Sequence, residues 1–123
     1  MEPFCNRTKM NTIIMPRGDI RPIRFKVLNT DGDRIDFKLD EILFTVKKYF
    51  TDKSYKFQKK LSDGSIYFGE DGYYHFVIEE LDTKDLRYGD YIFDIEIFKY
   101  NSVSPNIKET TVGQLILTDE ASF

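Results

Sequence analysis

A chain of 123 residues with 41% hydrophobic and 15% aromatic content can bury one core, and is sized for one domain. Eighteen basic and 21 acidic side chains leave a formal charge of −3, an ordinary hydrated surface that argues against a general affinity for nucleic acid. The one cysteine, Cys5, cannot form an internal disulfide, which excludes the bridged antibody-type domain and fits assembly in a reducing cytoplasm.

Residues 1–11 read as an N-terminal arm that either threads onto a neighbour or moves freely. The first strand is expected at residues 12–15, stopped by Pro16, Arg17, Gly18 and Asp19, where proline fixes one dihedral and glycine permits the reversal. Ile23, Phe25 and Val27 alternate with Arg24 and Lys26 in a second strand, and residues 29–33 form its turn. Residues 34–41 read equally as a strand or as a loop dipping into the core. A long strand is expected over residues 42–50, with Ile42, Phe44 and Val46 inward and Thr45, Lys47 and Tyr49 outward; residues 55–61 are its hairpin partner.

After the turn at residues 62–65 come a short strand at 66–68, a second turn at 69–72, and a strand at 73–78. In that last strand Tyr74, Phe76 and Ile78 face one way and His75 the other. One short helical turn is expected near residues 82–86, capped by Asp82 or Thr83. The pattern Leu86-Arg87-Tyr88-Gly89-Asp90-Tyr91 then opens a strictly alternating strand, with Tyr91, Phe93, Ile95 and Ile97 on one face and Asp94 and Glu96 on the other. A loop over residues 100–106 and a last strand over 110–118 follow, with Leu115 and Leu117 inward and a tail at 119–123.

This order predicts an all-β protein, an immunoglobulin-like Greek-key β-sandwich of seven to eight strands spanning residues 12–118. Tyr91 is the expected corner tyrosine, its hydroxyl bonding back to the chain near Leu86. A jelly roll or small barrel has similar periodicity. The start has no basic segment followed by an apolar run, and no apolar stretch reaches membrane-spanning length, so neither secretion nor membrane insertion is expected.

The chemistry-bearing residues form no recognisable catalytic set, and the chain is not expected to be an enzyme. His75 has no Ser or Cys partner nearby in sequence, and one histidine with one cysteine cannot supply a structural zinc site. Residues 29–36 resemble a calcium loop but lack its closing glutamate. Asp94 and Glu96 share a strand face without signs of a cleft, the glycines are scattered at turns, and Arg17-Gly18-Asp19 matches the adhesion tripeptide at chance level. No catalytic, cofactor-binding or metal-ligating residue is assigned, and no cofactor is expected.

Charge is distributed unevenly. Residues 47–60 hold Lys47, Lys48, Lys53, Lys56, Lys59 and Lys60 against Asp52 alone, a net of +5, interleaved with Tyr49, Phe50, Tyr55 and Phe57. Such a mixture suits single-stranded nucleic acid. Residues 79–96 carry seven carboxylates against Lys84 and Arg87, a net of −5. In an immunoglobulin-like sheet Lys47 would then lie beside Asp94 or Glu96 as a cross-strand pair. Lysines on an edge strand also discourage unwanted pairing, which is the simpler account of Lys53, Lys56, Lys59 and Lys60.

Several short segments together carry a family resemblance: residues 15–19 (MPRGD), 23–27 (IRFKV), 44–48 (FTVKK), 61–64 (LSDG), 81–86 (LDTKDL), 88–95 (YGDYIFDI) and 113–117 (GQLIL). The set resembles the small immunoglobulin-like virion proteins of tailed bacteriophages, in particular the N-terminal domain of baseplate upper proteins. The resemblance implies a non-enzymatic structural protein of tail, baseplate or capsid, located in the virion and assembled in the host bacterial cytoplasm. Its partners would be other virion proteins and copies of itself, with neither membrane nor small-molecule ligand. Ending at Phe123, without a stalk or receptor-binding part, the chain fits a free-standing accessory role. The alternatives are a carbohydrate- or host-surface-binding sandwich using Tyr67, Tyr73 or Tyr100, and a nucleic-acid module using Lys56, Lys59 and Lys60.

Overall fold

Period-two alternation of apolar and polar residues produces the strands, and turns containing Gly18, Gly64, Gly69 and Gly72 interrupt them at residues 17–20, 61–66 and 69–73. The computed structural model describes residues 11–27, 39–99 and 107–119. In chain order these form β1 (Asn11–Pro16), β2 (Arg21–Phe25), β3 (Glu41–Lys47), β4 (Phe57–Lys60), β5 (Tyr67–Phe68), β6 (Tyr74–Ile78), α1 (Glu80–Thr83), β7 (Gly89–Lys99) and β8 (Ile107–Thr118). A five-stranded sheet has the order β1-β8-β7-β3-β4, and a three-stranded sheet the order β2-β6-β5. β1 runs parallel to β8, while the other pairings are antiparallel. This is an immunoglobulin-like β-sandwich, with β3, β7 and β8 as the central strands of the larger sheet.

The core lies between the sheets. Ile42, Phe44 and Val46 of β3, Tyr74, Phe76 and Ile78 of β6, and Tyr91, Phe93, Ile95 and Ile97 of β7 are buried, as their alternation requires. Phe44 is the junction: its ring centroid stands 4.4 Å from that of Phe76 in the opposite sheet, 5.2 Å from Phe93 and 6.1 Å from Phe57. Close, tilted ring pairs of this kind add specific geometry to the area they bury.

The corner tyrosine is present. Tyr91 is buried, and its hydroxyl donates to the Arg87 carbonyl oxygen at 2.8 Å, tying the start of β7 to the chain entering it. Tyr91→Phe keeps the ring and deletes this bond, so a loss of about 1 kcal/mol is expected, read as a lower urea midpoint at unchanged m-value.

Two local expectations are corrected. The helical turn occupies Glu80–Thr83 instead of residues 82–86, and Glu79 is its N-cap. Asp82 acts from the third helical position, accepting the Glu79 amide N–H on Oδ2 at 2.7 Å. Thr83 is buried as well, because its Oγ1 accepts the Gly18 amide N–H at 2.8 Å. The strand expected to reach residue 50 ends at Lys47: the Tyr49 amide donates to Asp52 Oδ2 at 3.0 Å and the Asp52 amide to the Tyr49 carbonyl at 3.1 Å, a turn that takes the chain out of the ladder. The arm through residue 10 with Cys5, the turn at 29–33, the calcium-like segment, the loop at 100–106 and residues 120–123 lie outside the described residues.

Candidate functional site

The strand registers bring three connections to one end of the sandwich: residues 17–20 between β1 and β2, residues 48–56 between β3 and β4, and residues 79–88 between β6 and β7. Among the described residues, six of the nine exposed large hydrophobic side chains sit there: Ile20, Tyr49, Phe50, Tyr55, Leu81 and Tyr88. Leu81 is 80% exposed and Phe50 58%. Apart from Ile20, these apolar side chains stand on the same loops as Lys48, Lys53, Lys56 and Arg87.

Polar contacts fix these loops to one another. Arg17 donates from Nη1 to the Leu86 carbonyl at 3.1 Å and from Nη2 to the Tyr88 hydroxyl at 3.3 Å, with its guanidinium 4.3 Å from the centre of the Tyr88 ring. The arginine of the Arg17-Gly18-Asp19 triplet is therefore engaged within the chain. Gly18 has φ +84°, a conformation only glycine adopts readily. Lys48 donates from Nζ to the Asp90 carbonyl at 2.7 Å and lies 4.6 Å from the Tyr91 ring centre. Between these groups is a cavity of about 460 Å³ lined by Lys48, Lys56, Asp85, Leu86, Arg87, Tyr88 and Tyr91.

The structure divides the basic hairpin. Lys59 pairs with the inward Phe44 and is itself buried, its ammonium 2.7 Å from Asp82 Oδ2 and 3.7 Å from Glu79 Oε1. Phe57 also enters the core, whereas Tyr49, Phe50 and Tyr55 are exposed. Lys47 stands opposite Ile92, while Asp94 faces Thr45 and Glu96 faces Leu43. Neither carboxylate is its direct cross-strand neighbour, because the register that brings Phe44 opposite Ile95 places Lys47 two residues short of Asp94.

A second cluster lies on the outer face of the three-stranded sheet. β2–β6 pairing sets Arg24 opposite His75, and β5–β6 pairing sets Tyr67 opposite His75 from the other side. His75 Nε2 is 2.9 Å from Asp71 Oδ1 and 3.1 Å from Oδ2, and Arg24 Nη1 is 3.4 Å from the latter oxygen. The Tyr67 ring stacks on His75 at 5.2 Å, and the Arg24 guanidinium covers Tyr73 at 4.3 Å. Gly69 makes room for this, since a Cβ there would come within 2.7 Å of His75 Nε2 and 2.8 Å of Asp71 Oδ1. Sequence reasoning named Tyr67, Tyr73 and the outward His75 but missed Asp71 and Arg24; the Gly69-Glu70-Asp71-Gly72 turn was the available signal. Among the described residues, no three His, Cys, Asp or Glu side chains converge to hold a metal ion.

No known family model matches this chain, and no curated protein matches its sequence.

Three carboxylates, Asp63 and Asp71 in turns and Glu41 at the start of β3, titrate below their ordinary range. Asp71 is lowered by the hydrogen bond from His75 and then by the Tyr73 amide, and Asp63 by the Ser65 hydroxyl and amide. For Glu41, burial pushes upward, but the bonds from Ser62, Ile42 and Leu61 together outweigh it. A carboxylate whose folded pKa is depressed contributes stability above its unfolded pKa, and that contribution is lost as pH falls through the folded value. Thermal unfolding should therefore show a falling midpoint below about pH 4, with a shallower acid limb in Asp63→Asn and Asp71→Asn variants.

Proposed function

We propose that the chain is a non-enzymatic structural protein of a tailed bacteriophage, a tail, baseplate or capsid accessory module that docks onto other virion proteins. The observation that carries this reading is the collection of Ile20, Tyr49, Phe50, Tyr55, Leu81 and Tyr88 at one loop end of a self-contained sandwich. Interfaces draw their energy from a few aromatic and aliphatic anchors in a polar surround, and Phe50 and Leu81 are anchors of that kind. The phage assignment itself comes from the sequence resemblance described above. Mass spectrometry of purified particles tests it: the polypeptide should be present at a fixed stoichiometry, and its absence would defeat the proposal. A folded Phe50→Asp variant should be depleted from those particles.

A second reading, an exposed carbohydrate-binding sandwich, is favoured by the cluster on the small sheet. Tyr67 offers an aromatic surface, and Arg24, Asp71 and His75 offer donors and acceptors suited to hydroxyl groups. Binding on a glycan array that disappears in Tyr67→Ala would support it, and no binding to any glycan would sink it. The nucleic-acid reading is weakened because Lys59 faces Asp82 in place of solvent.

A further inference from the structure

The cavity beside β3 and β7 differs in kind from the apolar groups around it. Lys48, Lys56 and Arg87 line it against Asp85 alone, a local excess of two positive charges in a chain of formal charge −3. None of the three cations forms an ion pair with a carboxylate of the described residues. Lys59 in the same hairpin provides the contrast, with Asp82 and Glu79 beside its ammonium. Lys48 is anchored instead by the neutral Asp90 carbonyl, so its position is fixed while its charge stays uncancelled.

The walls are equally well fixed. Tyr91 is held through its hydroxyl by the Arg87 carbonyl and covered by Lys48; Tyr88 is held by Arg17, which stacks on its ring and reaches its hydroxyl. Two held aromatic walls and one anchored ammonium, that of Lys48, need little reorganisation on binding, while the exposed Lys56 and Arg87 side chains add charge at the rim. Ammonium and guanidinium groups make their strongest hydrogen bonds to oxyanions, and aromatic walls accept the carbon skeleton that carries them.

We propose that this cavity binds the carboxylate groups of an acidic peptide segment on the docking partner. The partner as carrier rests on the docking function proposed above; the carboxylate chemistry rests on the cavity. Charge complementarity of this sort speeds encounter and fixes the orientation of a docked protein.

The test is a titration of the full chain, followed by its amide ¹H–¹⁵N spectrum, with tri-glutamate, with inorganic phosphate, and with sodium chloride at matched ionic strength. Tri-glutamate should give saturable shifts confined to Lys48, Lys56 and the segment 85–91, with phosphate weaker and chloride giving no saturation. The double variant Lys56→Gln, Arg87→Gln alters two exposed side chains, should keep its unfolding midpoint, and should bind tri-glutamate about fivefold more weakly. Shifts that chloride reproduces, or an affinity unchanged in the double variant, would overturn the site, and tighter binding of phosphate than of tri-glutamate would overturn the carboxylate assignment. Because the titration uses the isolated chain, a chain that binds tri-glutamate yet is absent from particles refutes only the virion function. Presence in particles with an inert cavity refutes only the site.

Discussion

Phe44→Ala is expected to lower the unfolding free energy by about 3–5 kcal/mol, the range for large-to-small changes at fully buried aromatic positions. Phe44 has no exposed surface, and its ring meets Phe76 across the sandwich as well as Phe57 and Phe93 within its own sheet. Its removal opens a void where the two sheets touch. Flanking strands cannot close that void cheaply, since β3 is hydrogen-bonded to β4 on one side and β7 on the other. A domain of this size has a total stability of about 5–15 kcal/mol, so the variant should be marginal at 37 °C. Urea unfolding of Phe44→Ala beside Phe44→Leu decides the matter: leucine should recover more than half of the loss. Equal losses would mean that ring shape outweighs filled volume.

Lys59→Met is expected to cost about 2–3 kcal/mol although it replaces a charge with an apolar chain of similar length, because breaking one side of a buried pair leaves the other charge uncompensated. Asp82 is the group left behind; its side chain is only 17% exposed and already accepts the Glu79 amide. Glu79 is mostly exposed, which keeps the figure below that of a fully buried pair. Asp82→Asn retains an oxygen for the amide while removing the charge, so the Lys59→Met, Asp82→Asn double variant should recover part of the loss. A double-mutant cycle by denaturant titration measures the coupling, and single effects that simply add would show that the ion pair does not hold α1 to β4.

How far these features could be read from the chain depended on whether a local rule decided them. Alternation in β3, β6 and β7 is a single-strand property, and the inward positions of Phe44, Phe76 and Phe93 follow from it. The Tyr91 corner was equally legible, because its partner, the Arg87 carbonyl, is a near neighbour in sequence. Lys59 shows where a residue-type habit misleads. Period two, anchored on Phe57, points Lys59 inward, but lysine is so rarely buried that the chemistry argued the opposite, and Asp82 was too distant in sequence to correct it. The facing of Lys47 and Ile92 could not be foreseen, since register depends on which residues of two separate strands meet. For the same reason the loop end was visible only in part: the basic hairpin stood out, but the arrival of residues 17–20 and 79–88 beside it is a product of the sheet topology. Arg24 likewise reaches the neighbouring Asp71 and His75 from a separate strand.

The parallel pairing of β1 with β8 has a mechanical side. The two strands run in the same direction over six matched positions, from Asn11 opposite Gly113 to Pro16 opposite Thr118. Tension applied backward at Asn11 and forward at Thr118 would slide one strand along the other, loading all the bonds of that ladder together instead of opening them singly from an end. Stretched in this direction, the sandwich should resist as a clasp resists, and let go abruptly; peeled from the β4 edge, where only four residues pair with β3, it should yield bond by bond.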